Sequence, residues 1–204
     1  MCDFAYFYLN FDRTFAAMDI RSIIDRIYVL PGPSWERLAA CLARVDLPKG
    51  HLLMETGRVE RNIFFLAQGI ARACFPTDGR NVTFWIGAEG STLLSMKGFT
   101  EGLAGYETIE LMEDSVLYRL HRDDLHRLFA TDIHIANWGR RFAERELLQT
   151  EERLIPFLFT TASERYKKLL SEHPDLLQRL PLECLASYIG VTPVSLSRIR
   201  GELK

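Results

Sequence analysis

The stretch LECLASYIGVTPVSLSRIR, Leu182–Arg200, decides how this chain is read. Leu182, Leu185, Ala186 and Ile189 recur at helical spacing, Gly190 and Val191 interrupt the run, and Leu196 and Ile199 resume it. Two short helices that cross steeply need a small residue where they touch, here Ala186, and a turn residue free to take positive φ, here Gly190. Thr192 then caps the second helix, and Pro193 takes its first position, where a missing N–H does no harm. Thr192, Pro193, Ser195, Ser197, Arg198 and Arg200 form the expected outward set. Hydroxyls and guanidinium groups at the start of an exposed helix suit phosphates and guanine edges in a major groove. The pattern therefore predicts a DNA-reading helix-turn-helix. An ordinary αα-hairpin would share the apolar spacing but has no need of this cap, proline and glycine together.

Outward from that motif, Thr161-Ala162-Ser163-Glu164 predicts a capping box opening a helix from about 163 to 172, with Arg165, Lys167 and Lys168 as phosphate contacts. From Phe159 onward seven bases face five acids, a net of +2 in a chain whose total is −2. A mildly basic reading head on an acidic body fits these numbers.

Before the head, residues 133–157 predict one long helix that Pro156 ends or kinks. Ile135, Trp138 and Phe142 form one apolar row, expected against the body. Ala136, Gly139, Ala143, Leu147, Thr150 and Leu154 form a second row, expected against another copy of the chain, with burial inside one subunit as the alternative. A short helix is expected over 121–130.

Between Leu47 and Leu120 turn signals recur around Gly50, Gly57, Gly69, Gly79, Gly87 and Gly90, separating short apolar runs. Strands are expected at about 51–55, 62–68, 70–76, 80–86, 106–112 and 115–120, closing a sandwich or small barrel. Two short helices, 19–29 and 34–43, precede it. The aromatic-rich opening to Ala17 reads either as an added packing element or as sequence upstream of a start at Met18.

A hydrophobic content of 48% supports a real core. No apolar run reaches the roughly eighteen residues a membrane span needs, and the opening lacks a secretory pattern, so no membrane association and a cytoplasmic location are expected. Cys2, Cys41, Cys74 and Cys184 form no C-x-x-C pair, which predicts free thiols and no metal site. No residue is assigned a catalytic role.

Barrel, long helix, hinge and terminal helix-turn-helix stand in an order that resembles the Crp/Fnr family of bacterial transcription regulators. The resemblance runs from about Met18 to Lys204 and is most specific in SERYKKLLSEHPDLLQRLPLECLASYIGVTPVSLSRIR, Ser163–Arg200. It implies an α+β chain: a double-stranded β-helix (jelly-roll) sensor barrel of the cyclic-nucleotide-binding type over 1–130, a dimerisation helix over 131–158, and an all-α helix-turn-helix domain over 159–204 with its wing truncated or absent. It also implies a homodimer on double-stranded DNA and leaves contact with RNA polymerase open.

Departures from the family pattern matter as much. Members that bind cyclic AMP hold its phosphate with an Arg-Ser pair, which here falls on Gly105 and Tyr106, and no arginine lies between Arg80 and Arg119. A buried phosphate without a cation carries a severe desolvation cost, so ordinary cyclic AMP binding is not expected. Thr150 matches the family threonine that reaches the nucleotide base, but a serine that should follow is Glu151. Any other effector would meet Gly87, Glu89, Gly90, Lys97, Tyr106 and Thr150. No cofactor is assigned: Cys2 and Cys41 do not make an iron-sulfur cluster, and His51, His121, His126 and His134 are poor haem ligands. Arg198 matches the arginine that reads guanine, whereas Val194 stands where a glutamate is usual. A cupin-like small-molecule or metal-dependent barrel with a helical appendage is the alternative reading. A barrel that merely holds two reading heads apart is a third.

Overall fold

The computed structural model describes residues 17–77 and 79–203, so the reading of the opening stretch up to Ala16 lies outside the described residues. The described chain forms two compact units, one spanning Ala17–Ile155 and the other running from Pro156 onward.

In the first unit, α1 (Ile20–Asp25) and α2 (Gly32–Ala39) lead into eight strands: β1 (Leu42–Leu47), β2 (Leu52–Met54), β3 (Asn62–Gln68), β4 (Ala71–Thr77), β5 (Arg80–Gly87), β6 (Thr92–Leu93), β7 (Thr108–Leu111) and β8 (Ser115–His121). Helix α3 (Met96–Glu101) interrupts them, and α4 (Arg122–Thr131) and the start of α5 (Ile133–Phe159) follow. The strands form two antiparallel four-stranded sheets, ordered β1-β8-β3-β6 and β2-β7-β4-β5.

Strand β3, NIFFLAQ, shows why the barrel and its helices hold together. Its five central residues are all buried because both faces of the strand are covered. Phe64 and Leu66 enter an interior cluster with Leu53, Ile109, Leu111 and Leu117, drawn from both sheets. Ile63, Phe65 and Ala67 point the other way, into a cluster with Ile23, Ile24, Leu38, Leu125 and Trp138 from the helices. Trp138 is the keystone of that layer. It stacks on Phe142 at 5.6 Å, meets Phe65 edge-on at 6.0 Å and donates its indole N–H to the Ile24 carbonyl at 3.1 Å. Burying such a ring stabilises by about 1.5–3 kcal/mol, with its polar handle satisfied.

Three elements differ from expectation. The second short helix stops at Ala39, and Leu42–Leu47 is a strand paired antiparallel with β8. Leu-Ala-Arg favours a helix locally, but a free edge on β8 outweighs that small preference. Strand β6 is only two residues long and α3 only six, too short for periodicity to reveal. Pro156 does not end α5, which continues to Phe159.

Helix α5 begins on Asp132, whose Oδ1 accepts the N–H groups of His134 and Ile135 at 3.0 and 3.3 Å. Ile135, Trp138 and Phe142 are buried as the apolar row predicts. Gly139 belongs to this packing too, since a Cβ there would lie 2.5 Å from the ring of Phe129 in α4. Its smallness therefore admits a ring of the same chain. Farther along, Leu147, Leu148, Leu154 and Ile155 are all more than half exposed.

The second unit contains the end of α5, then α6 (Ala162–Glu172), α7 (Leu176–Arg179), α8 (Leu182–Tyr188) and α9 (Pro193–Glu202). The capping box forms as read: Glu164 N donates to the Thr161 hydroxyl, and the Glu164 carboxylate accepts from Thr161 N at 2.7 Å. These bonds hold the Glu164 carboxyl below its ordinary range. Tyr166, Leu169, Leu176, Leu180, Cys184, Leu185, Ala186, Ile189 and Leu196 are buried in this unit.

Candidate nucleic-acid interface

The α8–α9 turn is built as the sequence dictates. Gly190 has φ +78, Val191 N donates to the Ala186 carbonyl at 2.9 Å, and Gly190 N donates to Ser187. A side chain at Gly190 would also meet the Phe157 ring at 2.9 Å. The Thr192 hydroxyl accepts from Ser195 N at 3.2 Å, and Pro193 follows as the first helical residue. Leu196 is fully buried and anchors one side of α9.

The opposite side of α9 carries Val194, Ser197, Arg198 and Gly201, all exposed and spaced i, i+3, i+4 and i+7. This is one continuous helical face. It holds an isopropyl group, a hydroxyl and a guanidinium, with a glycine that lets another surface approach closely. Val194 is 80% exposed. It was not among the residues read as contacting DNA, although its spacing to Ser197 and Arg198 already put it on their face.

The other expected contacts divide. Ser195 is half-buried, and its hydroxyl lies 3.0 Å from that of Thr192, so both serve the cap. Arg200 is half-buried and lies over the Tyr166 ring, 5.6 Å from its centre, with a buried Nε that has no hydrogen-bond acceptor. Arg165 is drawn inward further: it donates to the carbonyls of Ile189, Thr160 and Pro156 and stacks over Phe157 at 4.7 Å. Its Nε and Nη1 are given to these carbonyls, which leaves Nη2 for a phosphate. Lys167 and Lys168 are exposed, the latter 3.9 Å from Glu172. Glycine, cap and proline were readable because backbone geometry demands them. Inward or outward aim of a long arginine depends on partners far away in sequence.

The residues expected to meet an effector have these surroundings in the first unit. Trp85 packs against the interior cluster, and a Cβ on Gly87 would collide with its ring at 2.0 Å. Glu89 accepts from Gly69 N at 3.0 Å. Gly90, at φ +89, lies against the Arg26 guanidinium, and Lys97 is exposed on α3. Tyr106 is 52% exposed beside Phe75 and Phe84, at 6.5 and 6.4 Å between ring centres. Thr150 is exposed and bonds back to the Glu146 carbonyl at 2.7 Å. Sequence reasoning passed over Glu107, which is 6% exposed, accepts from Tyr106 N at 3.1 Å, and has a buried Oε1 without a hydrogen-bond partner. Among the described residues no three His, Cys, Asp or Glu side chains are gathered as a metal would require, and no helix is long and apolar enough to cross a membrane.

No protein-family model matches the sequence, and no curated protein matches it significantly. Solved structures do match in fold. A chain from Eubacterium rectale assigned to the Crp/Fnr family superposes with a TM-score of 0.69 at 14% identity, covering 85% of this chain and 83% of that one. FixK2 from Bradyrhizobium japonicum gives 0.67 at 18%, covering 79% and 84%. The c-di-GMP-responsive global regulator CLP from Xanthomonas campestris gives 0.64 at 18%, covering 85% and 91%.

Proposed function

We propose that this chain, which has the α+β fold of solved Crp/Fnr-type regulators with a barrel followed by a helix-turn-helix unit, is a homodimeric, DNA-binding transcription regulator of that type, acting in the cytoplasm, where its DNA would be. The observation that carries this reading is the α9 face of Val194, Ser197 and Arg198, held clear of the unit's core by Leu196 on its far side. A helix so presented enters a major groove by its first turns. The exposed apolar residues Leu147, Leu148, Leu154 and Ile155 of α5 favour pairing with a second copy, which would set two reading helices on a two-fold symmetric site.

Ordinary cyclic AMP is not the effector in this reading. Glu107 stands buried next to the positions where a phosphate-holding Arg-Ser pair would fall, and a carboxylate there repels a phosphate. The remaining choices are a different small molecule and a barrel that acts as scaffold.

Enrichment of bound fragments from a randomised DNA pool, with light scattering on the same protein, tests the proposal. A recurring two-fold symmetric sequence and a dimer mass are expected. Salt-dependent binding without sequence preference, or a monomer at all concentrations, would overturn it.

A further inference from the structure

We infer that Val194 is a base-reading residue whose isopropyl group packs on the C5-methyl of a thymine, next to the guanine contacted by Arg198. The inference rests on the DNA-reading proposal and adds to it one determinant of sequence. Val194 occupies the first turn of α9, directly after Pro193, and projects 80% into solvent. Its neighbours at that end are already committed, because the hydroxyls of Thr192 and Ser195 are bonded to each other at 3.0 Å. The side chain that projects farthest from the tip of the reading helix is therefore apolar, and the hydroxyls beside it are held back in the cap.

In the major groove three of the four bases present only hydrogen-bonding atoms, and thymine alone adds a methyl group. An isopropyl group set against an amino group or a ring nitrogen would strip its water and return nothing. Set against the thymine methyl it removes apolar surface on both sides. Val194 and Arg198 are one helical turn apart on the same face, about 6 Å along α9. That separation corresponds to one or two base steps of roughly 3.4 Å. The expected half-site thus holds a thymine within two steps of the guanine read by Arg198, on either strand.

The test uses the full chain and the sequence it enriches. Each thymine of the half-site is replaced in turn by deoxyuridine, which keeps every hydrogen-bonding atom and lacks only the methyl. At one position near the Arg198 guanine, affinity of the unaltered protein should fall about fourfold, the equivalent of one buried methylene. Val194→Ala should bind thymine and deoxyuridine at that position equally. Val194→Glu should shift preference there toward cytosine, whose amino group a carboxylate accepts. Since Val194 is exposed, both variants should keep the circular dichroism and melting of the parent. If every deoxyuridine is neutral, or Val194→Ala keeps the full methyl discrimination, the inference fails while the DNA-reading proposal stands. If no sequence is enriched, both fail.

Discussion

The barrel and the reading unit carry similar polar side chains but use them in opposite directions. In the barrel they are turned on the fold itself: Glu89 holds Gly69 N, Arg72 pairs with Glu110 at 2.8 Å, and Trp85 covers Gly87. In the reading unit the turn and the cap use up Gly190, Thr192 and Ser195, and the price of that scaffold is returned as a helix face left bare at Val194, Ser197 and Arg198. Val194, Ser197 and Arg198 are left bare because their neighbours do the structural work. Among the residues expected to hold an effector, Lys97 and Tyr106 are the barrel's exposed side chains.

Substitutions that touch one region should leave the other's readout unmoved. Trp138→Ala should cost about 3–5 kcal/mol of stability in the barrel unit, read as a lower urea midpoint for Trp-depleted fluorescence or circular dichroism, because it empties a fully buried site. An unchanged midpoint would refute its keystone role. Next, Arg198→Ala should weaken binding to the enriched DNA sequence by about 1–3 kcal/mol without shifting the melt. Loss of stability in place of binding would erase the contrast drawn above. A smaller effect, about 1 kcal/mol, is expected when Thr192→Ala removes the cap of α9, seen as a lower melting temperature of the reading unit together with weaker DNA binding.

The smallest effect is a difference in acid sensitivity. At Asp132 burial pushes the carboxyl upward, but hydrogen bonds from Ile135 N, the Ser34 hydroxyl and His134 N, with the Arg37 charge, outweigh it and leave the pKa lowered. A lowered folded value means that the unfolded state binds the proton first. The stabilising contribution is therefore complete above the unfolded pKa of about 3.9 and disappears as pH falls through the lower folded value. Asp132→Asn should flatten the acid limb of the barrel unit's stability curve between those limits. An identical acid limb in both proteins would remove Asp132 from the account.

The legible parts of the sequence were those fixed by local backbone demands. Gly190, the Thr192-Pro193 start, the Thr161-Glu164 box and the Ile135-Trp138-Phe142 row all appear where spacing placed them. What escaped was decided at a distance. Leu42–Leu47 became a strand because β8 offered an edge, and Gly139 was claimed by Phe129. Arg165 and Arg200 have the composition of phosphate ligands, yet an aromatic ring and, for Arg165, three carbonyls hold them inward. Val194 was read only as a replacement for the usual glutamate and not as a contact, since a valine suggests core until its exposure is known.

The Arg165 clamp has a mechanical meaning. One guanidinium grips Pro156 and Thr160 at the tail of α5 and also Ile189 beside the turn that aims α9. The end of the long helix and the turn before α9 are thereby fastened by the same side chain. Loss of that one side chain would therefore untie the end of α5 and the turn before α9 in a single step.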